Sequence, residues 1–172
     1  MYIISGKYQR QSIKYPTNRA FRPTKSIVRE AIFNILAHKV YGSSFLDLCS
    51  GSGAIGLEAE SRGAHSVVCV DRDITYLAKN KRLLNASIHI VRSDIVTYLK
   101  RISEQFDIIY LDPVWADQSV YHESLSFILN RGLLATNGWL IIEHDQLFKI
   151  QQDSFDISEY KYGNSKITIL KQ

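Results

Sequence analysis

The chain has 172 residues, 45% of them hydrophobic, which suits one soluble domain with a substantial core. No apolar run approaches the roughly 20 residues that span a bilayer, the start Met1-Tyr-Ile-Ile-Ser-Gly-Lys lacks the apolar stretch of a secretory signal, and Cys49 and Cys69 have neither CxxC nor zinc-like spacing. The net charge is +4 but uneven: residues 1–40 hold Lys7, Arg10, Lys14, Arg19, Arg22, Lys25, Arg29 and Lys39 against one acid, Glu30, a net of +7 that leaves −3 for the rest. These features argue against transmembrane, disulfide-framed and structural-zinc classes, and the expectation is a reduced cytoplasmic protein with no membrane partner. A basic segment on a mildly acidic body suits contact with a polyanion, although a solvated surface of mixed roles gives the same count.

In chain order, Ile3, Ile4 and Ile13 suit a small hairpin carrying basic residues. Thr24 after Pro23 suits an N-cap, and Ile27, Val28, Ala31, Ile32, Ile35 and Leu36 mark an amphipathic helix. Residues 1–40 are therefore expected to form a basic appendage of hairpin plus helix, and residues 41–172 the main domain. There, Ser44–Cys49 reads as a buried strand, 53–61 as a helix, and Ser66–Asp71 as a strand for a sheet buried on both faces. A helix over 74–85, a short strand over 87–91, a helix near 95–103 and the strand Phe106–Leu111 follow. A helix near 120–131 leads to the strand Trp139–Glu143. Two strand-like stretches, about 154–161 and 165–170, flank Tyr162-Gly163-Asn164, a hairpin signal. The repeated βα units predict an α/β fold with a mostly parallel sheet and a closing antiparallel hairpin.

Between the first strand and its helix lies Asp47-Leu-Cys-Ser-Gly51-Ser-Gly53-Ala-Ile-Gly56, with Asp71 20 residues after Gly51 at the end of the next strand. The glycines let backbone approach a ligand, and Asp71 can accept hydrogen bonds from ribose hydroxyls. This pattern describes an NAD site as well as an S-adenosylmethionine site. Asp47 favours the second ligand, because an acid before the glycines suits an ammonium and sits badly beside a pyrophosphate. Ser93-Asp94, at another strand end, can reach an adenine amino group.

Asp112-Pro113-Val114-Trp115 follows the strand 106–111. A nucleobase amine is a poor nucleophile because its lone pair is delocalised into the ring, so methylating it calls for acceptors that orient the amine beside an electrophilic methyl. Asp112 and the Pro113 carbonyl can act as those acceptors and Trp115 as a stacking platform. A strand-ending Asp-Pro turn with a packing Trp is the plainer alternative. The histidines at 38, 65, 89, 122 and 144 have no metal-ligand or nucleophile–base spacing, so no metal is expected. Cys49 reads as a small packing residue and Glu143 as a strand-end surface acid, while Tyr121 suits packing and covering of a base equally.

Several ordered landmarks carry a family resemblance: Ser5-Gly6-Lys7-Tyr8, Arg22-Pro23-Thr24, Val28-Arg29-Glu30, Phe33-Asn34-Ile35-Leu36, Leu46-Asp47-Leu48, Gly51-Ser52-Gly53-Ala54, Gly56-Leu57-Glu58-Ala59, Ser61-Arg62-Gly63-Ala64, Asp71, Asp112-Pro113 and Tyr162-Gly163. Over nearly its full length the chain resembles the bacterial 16S ribosomal RNA guanine-N2 methyltransferases. The resemblance implies a Rossmann-like class I methyltransferase with a seven-stranded sheet. S-adenosylmethionine would be the cofactor and S-adenosylhomocysteine its product, with a guanine of 16S ribosomal RNA, presented in an assembled or assembling small subunit, as substrate. It implies that Asp47, Gly51 and Gly53 line the amino-acid side of the cofactor pocket, Asp71 binds ribose, Asp94 lies beside adenine, and Asp112 and Pro113 form the amine-binding turn. It also makes the N-terminal segment the RNA-contacting element, with Lys7, Arg10, Arg22 and Arg29 as its candidates, although Arg22 and Arg29 equally suit organising the pocket or helix-surface salt bridges, in a chain expected to act as a monomer. The family turn reads Asp/Asn-Pro-Pro-aromatic, and this chain has Val114 at the second proline. Val114 removes a φ restraint, so activity with a less rigid turn is expected. Methylation of DNA adenine and a noncatalytic RNA-binding role are the alternatives that this turn leaves open.

Overall fold

The computed structural model describes residues 1–16, 24–114, 116–145, 148, 150 and 154–172. Its elements run α1 (Ser26–Ile35), β1 (Ser44–Leu48), α2 (Ala54–Ser61), β2 (Ser66–Asp71), α3 (Thr75–Leu84), β3 (His89–Arg92), α4 (Ile95–Arg101), β4 (Phe106–Leu111), α5 (Gln118–Asn130), β5 (Leu134–His144), β6 (Asp156–Tyr162) and β7 (Ser165–Lys171). One seven-stranded sheet has the order β3-β2-β1-β4-β5-β7-β6. Strands β1 to β5 pair in parallel, and β7 pairs antiparallel with both β5 and β6. This is the Rossmann-like α/β fold expected of a class I methyltransferase.

Strand alternation sorts the core into two layers. Phe45, Ile108, Tyr110 and Ile141 face the layer containing α1, α2 and α3, whereas Leu46, Leu48, Ile109, Leu111 and Ile142 face α4 and α5. Asp47 falls between Leu46 and Leu48 and so points to the α2 side, where its carboxyl meets the Gly56 amide near the start of that helix. Among the described residues no helix is long and apolar enough to cross a membrane.

The ends of some elements differ from expectation. β5 begins at Leu134, earlier than the apolar run at 139, because Phe106 pairs with Leu134 before a register shift brings Ile108 opposite Trp139. α5 begins at Gln118, after Asp117, whose side chain accepts from the Val120 amide at 3.4 Å. The N-cap of α1 is Lys25, not Thr24, and no side chain caps the helix. Ile27, expected on the apolar stripe of α1, is 64% exposed.

The N-terminal stretch doubles back through a bridge between Tyr2 and Ser12, with the Ile3 amide donating to Gln11 O at 2.9 Å and the Ile13 amide to Met1 O at 2.8 Å. Ile3, Tyr8 and Ile13 enter the same core layer as α1 to α3. The buried Glu58 of α2 accepts from the amides of Ile4 (2.7 Å) and Ser5 (3.0 Å) and pairs with Arg62 Nε (2.7 Å). Those bonds compensate for its burial.

Candidate active site

The strand order reverses at β1, with β2 on one side and β4 on the other, and a cavity of about 390 Å³ opens at the carboxyl ends of these strands. Such switch points are where open α/β sheets take ligands. Cys49, Gly51, Asp71, Ser93, Asp94, Asp112, Pro113 and Val114 line it, and Pro16 contributes from the N-terminal segment. A smaller cavity of about 50 Å³ adjoins it, lined by Thr24, Asp47, Ser52, Tyr110 and Asp112 among others. Asp112, Cys49 and Gly51 belong to both walls.

The glycine loop is fixed by its own backbone. Asp47 is 1% exposed, and its Oδ2 accepts from the Gly56 amide at 2.9 Å at the start of α2. Burial pushes the Asp47 carboxyl up to about 7, the Asp71 charge adds to the rise, and the Gly56 bond opposes it. The Gly51 amide donates to Asp71 Oδ2 at 2.7 Å, and the Asp73 amide donates to Asp71 Oδ1 at 2.9 Å. Gly51 and Gly53 have φ of +55° and +82°, which side chains rarely adopt, and a Cβ on Gly53 would overlap Leu77 Cδ1. Asp94 caps α4, its Oδ1 accepting from the Thr97 amide at 2.9 Å. That bond holds its carboxyl below the usual carboxylate range. The predicted residues Asp47, Gly51, Asp71, Asp94, Asp112 and Pro113 thus converge on the two cavities, with Gly53 buried behind the loop.

At the other wall, the Asp112 amide donates to Leu48 O at 3.4 Å, and the Asp117 amide closes the turn onto Val114 O at 2.9 Å. Val114 is 74% exposed at the cavity edge. Trp115 lies outside the described residues. The Pro113 carbonyl accepts from Tyr121 Oη at 3.2 Å, and the same hydroxyl lies 2.7 Å from Glu143 O. Tyr121 is therefore a buried support of the turn.

Glu143, expected at the surface, is instead 2% exposed: its Oε2 accepts from Tyr110 Oη at 2.6 Å and its Oε1 from Ser165 Oγ at 3.1 Å. These partners come from distant segments, so no local signal marked Glu143 as buried. Thr24 and Pro16 were likewise unmarked as cavity walls.

Lys7 and Arg10 are exposed, and Lys7 Nζ lies 4.8 Å from the Tyr8 ring centroid. Arg22 lies outside the described residues. Arg29 is fully buried, with Nη2 donating to Tyr2 O at 2.8 Å, and burial lowers its pKa despite the nearby Glu58 charge. In this arrangement Arg29 joins α1 to the N-terminal stretch.

A parallel sheet with an antiparallel hairpin at one edge, a glycine loop after β1, an acid ending β2 and an Asp-Pro turn after β4 define a class I methyltransferase domain. The family model described as Conserved hypothetical protein 95 matches residues 1–171. The putative rRNA methyltransferase YlbH of Bacillus subtilis is 31% identical over 183 aligned positions, covering 100% of this chain and 99% of that protein. The ribosomal RNA small subunit methyltransferase D of Escherichia coli is 30% identical over 147, covering 83% of this chain and 74% of that one. Among solved structures, the putative methyltransferase yhhF from Escherichia coli superposes with a TM-score of 0.90 at 26% identity, covering 100% and 97% of the two chains. The chain belongs to this family, that of the ribosomal RNA small subunit methyltransferases D.

Proposed function

We propose that the protein transfers a methyl group from S-adenosylmethionine to the exocyclic N2 amine of a guanine in 16S ribosomal RNA. The observation that carries the reading is the shared wall: Asp112 borders both the large cavity and the small one that holds Asp47. A carboxylate there can hold an amine where two ligands meet.

The residues fit the cofactor. Asp47, buried beside a small polar cavity and reluctant to ionise alone, suits an ammonium group that would restore its charge. Asp71, oriented by the Gly51 and Asp73 amides, suits ribose hydroxyls, and Ser93 with Asp94 suits adenine. When bound, the cofactor supplies an electrophilic methyl on a sulfonium.

The remaining chemistry falls to the chain's own groups. Asp112 and the Pro113 carbonyl accept from the N2 amine and aim its lone pair at the methyl. With the cofactor held by Asp47, Asp71 and Asp94, the amine nitrogen so oriented would take the methyl, the electron pair of the S–C bond remaining with sulfur. The methylated amine then gives its extra proton to water, so no general base is required. Trp115 is proposed as the stacking platform. The first forty residues are proposed as the RNA-contacting part, with Lys7 and Arg10 meeting phosphates through charge. Arg29 supports that surface from within. A cytoplasmic monomer acting on small subunits is the proposed setting.

Mass spectrometry of 16S ribosomal RNA from cells with and without this protein tests the reading. The expected result is one N2-methylguanine present with the protein and absent without it. An unchanged set of methylated guanines, or label from S-adenosylmethionine entering only DNA, would overturn it.

A further inference from the structure

We propose that Asn80 is a positioning residue that ties the N-terminal basic segment to the cofactor loop, so that filling the cofactor cavity tightens the hold on residues 14–16. The proposal rests on the cofactor reading above and adds an energetic link between the two halves of the site.

Asn80 lies in α3 and is fully buried. Its Oδ1 accepts from the Lys14 amide at 2.8 Å, and its Nδ2 donates to Lys14 O at 2.7 Å and to Ser52 O at 2.9 Å. One amide thus satisfies both backbone groups of Lys14 and the carbonyl of a residue between Gly51 and Gly53. Helix propensity gives no reason for Asn here, since Asn is among the weaker helix formers. A buried amide whose polar atoms face two other chain segments is a bridge, and losing it leaves buried backbone groups without partners.

Both ends of this bridge reach the cavities. Ser52 walls the small cavity with Asp47 and Asp112, and Pro16, two residues beyond Lys14, walls the large one. Other anchors of the N-terminal stretch lie on α1, where Arg29 Nη2 donates to Tyr2 O, and on α2, where Glu58 takes the Ile4 and Ser5 amides and Ser61 takes the Tyr8 amide. Those anchors hold Tyr2 to Tyr8, while Asn80 holds Lys14, next to the proposed cofactor site. A ligand that packs on Pro16 and orders the loop carrying Ser52 stabilises the state in which Lys14 is bonded to Asn80. By linkage, whatever stabilises the bonded position of Lys14 strengthens cofactor binding by the same factor.

Limited trypsin digestion of the full chain reads this link without any catalytic assay. Cutting after Lys14 requires local opening that breaks the bonds to Asn80. With S-adenosylhomocysteine at saturation, confirmed by calorimetry, cleavage of Lys14–Tyr15 is expected to slow about fivefold or more. Cleavage of Lys161–Tyr162 in β6 serves as the unaffected reference. Asn80→Asp keeps an acceptor for the Lys14 amide but sets a carboxylate against Lys14 O and Ser52 O. At saturating ligand this variant is expected to show no protection at Lys14, whereas a purely structural weakening of the loop would be overcome by saturation. Binding to the wild type without protection at Lys14, or equal protection in the variant, would overturn the link. If the variant does not fold, the wild-type comparison still decides. Failure of the wild type to bind S-adenosylhomocysteine at all would instead remove the cofactor reading and the link with it.

Discussion

The glycine loop and the Asp112–Val114 turn face the same cavity but are held in different ways. Around the loop, short bonds of 2.7–2.9 Å run from Gly51 to Asp71, from Gly56 to Asp47 and from Asn80 to Ser52, and the acceptors are carboxylates or buried carbonyls. Around the turn, bonds of 3.4 Å from the Asp112 amide to Leu48 O and 3.2 Å from Tyr121 to Pro113 O stand beside one of 2.9 Å from the Asp117 amide to Val114 O, and the Val114 side chain is exposed. The loop, which the proposed reading makes the cofactor-binding half, is organised in advance by the fold. The turn, which the proposed reading makes the reacting half, is held among the described residues by the Tyr121 hydroxyl and by main-chain bonds at Asp112 and Val114.

The largest expected effect separates the two regions. Asp112→Ala removes an acceptor from the turn while leaving the loop intact, so methyl transfer to small subunits should fall about 100-fold or more. Calorimetry should find the affinity for S-adenosylhomocysteine nearly unchanged. An equal collapse of binding and transfer would show that Asp112 belongs to the loop's half of the site.

A smaller effect should appear at the loop through Asp47. Burial pushes its carboxyl up from an ordinary value of 3.8 to about 7. The raised value means that the folded state binds the proton more tightly than the unfolded one. The contribution of Asp47 to the stability of the free protein is therefore lost as pH rises from about 4 to about 7 and changes little above that. A ligand ammonium beside Asp47 requires the ionised form. Binding of S-adenosylhomocysteine below pH 7 should release a proton, and affinity should drop roughly tenfold per unit as pH falls further. Calorimetry in buffers of different ionisation enthalpy measures the released proton directly. Affinity that is flat between pH 5 and 8, with no proton release, would place the ammonium elsewhere.

The contrast between the regions also explains what the amino-acid sequence reveals. The glycine loop was legible because its demands are local: positive φ at Gly51 and Gly53, an acid at Asp47 beside a helix start, and Asp71 at the end of the next strand. The order of strands and helices was legible for the same reason, since alternation and turn residues lie next to one another in the chain. Glu143 is buried where its place at a strand end suggests a surface acid, and Arg29 is buried on a helix where the sequence leaves phosphate contact, pocket support and surface pairing open, because both depend on partners far away in sequence. Tyr110 and Ser165 satisfy Glu143, and the Tyr2 carbonyl receives Arg29. The walls formed by Pro16 and Thr24 likewise exist only once the N-terminal segment has packed beside the sheet.

Val114→Pro gives the smallest effect and the most direct test of why the two regions differ. The Val114 side chain is exposed, and its carbonyl, which accepts from the Asp117 amide at 2.9 Å, survives the substitution. A proline ring fixes φ near −65° and biases Pro113 toward extended backbone, so it stiffens the turn from within the chain. Where the native backbone accepts the ring, such changes stabilise by about 0.4–1 kcal/mol, mostly by restricting the unfolded chain. The expected outcome is a melting temperature higher by a few degrees and methyl transfer raised roughly twofold, with S-adenosylhomocysteine affinity unchanged. The twofold figure corresponds to a few tenths of a kcal/mol in barrier, the scale expected for a turn already close to its working shape. A large loss of transfer would mean that Val114 holds a backbone angle proline cannot adopt, and that the looser turn is a requirement of this enzyme's substrate and not a weakness in its site.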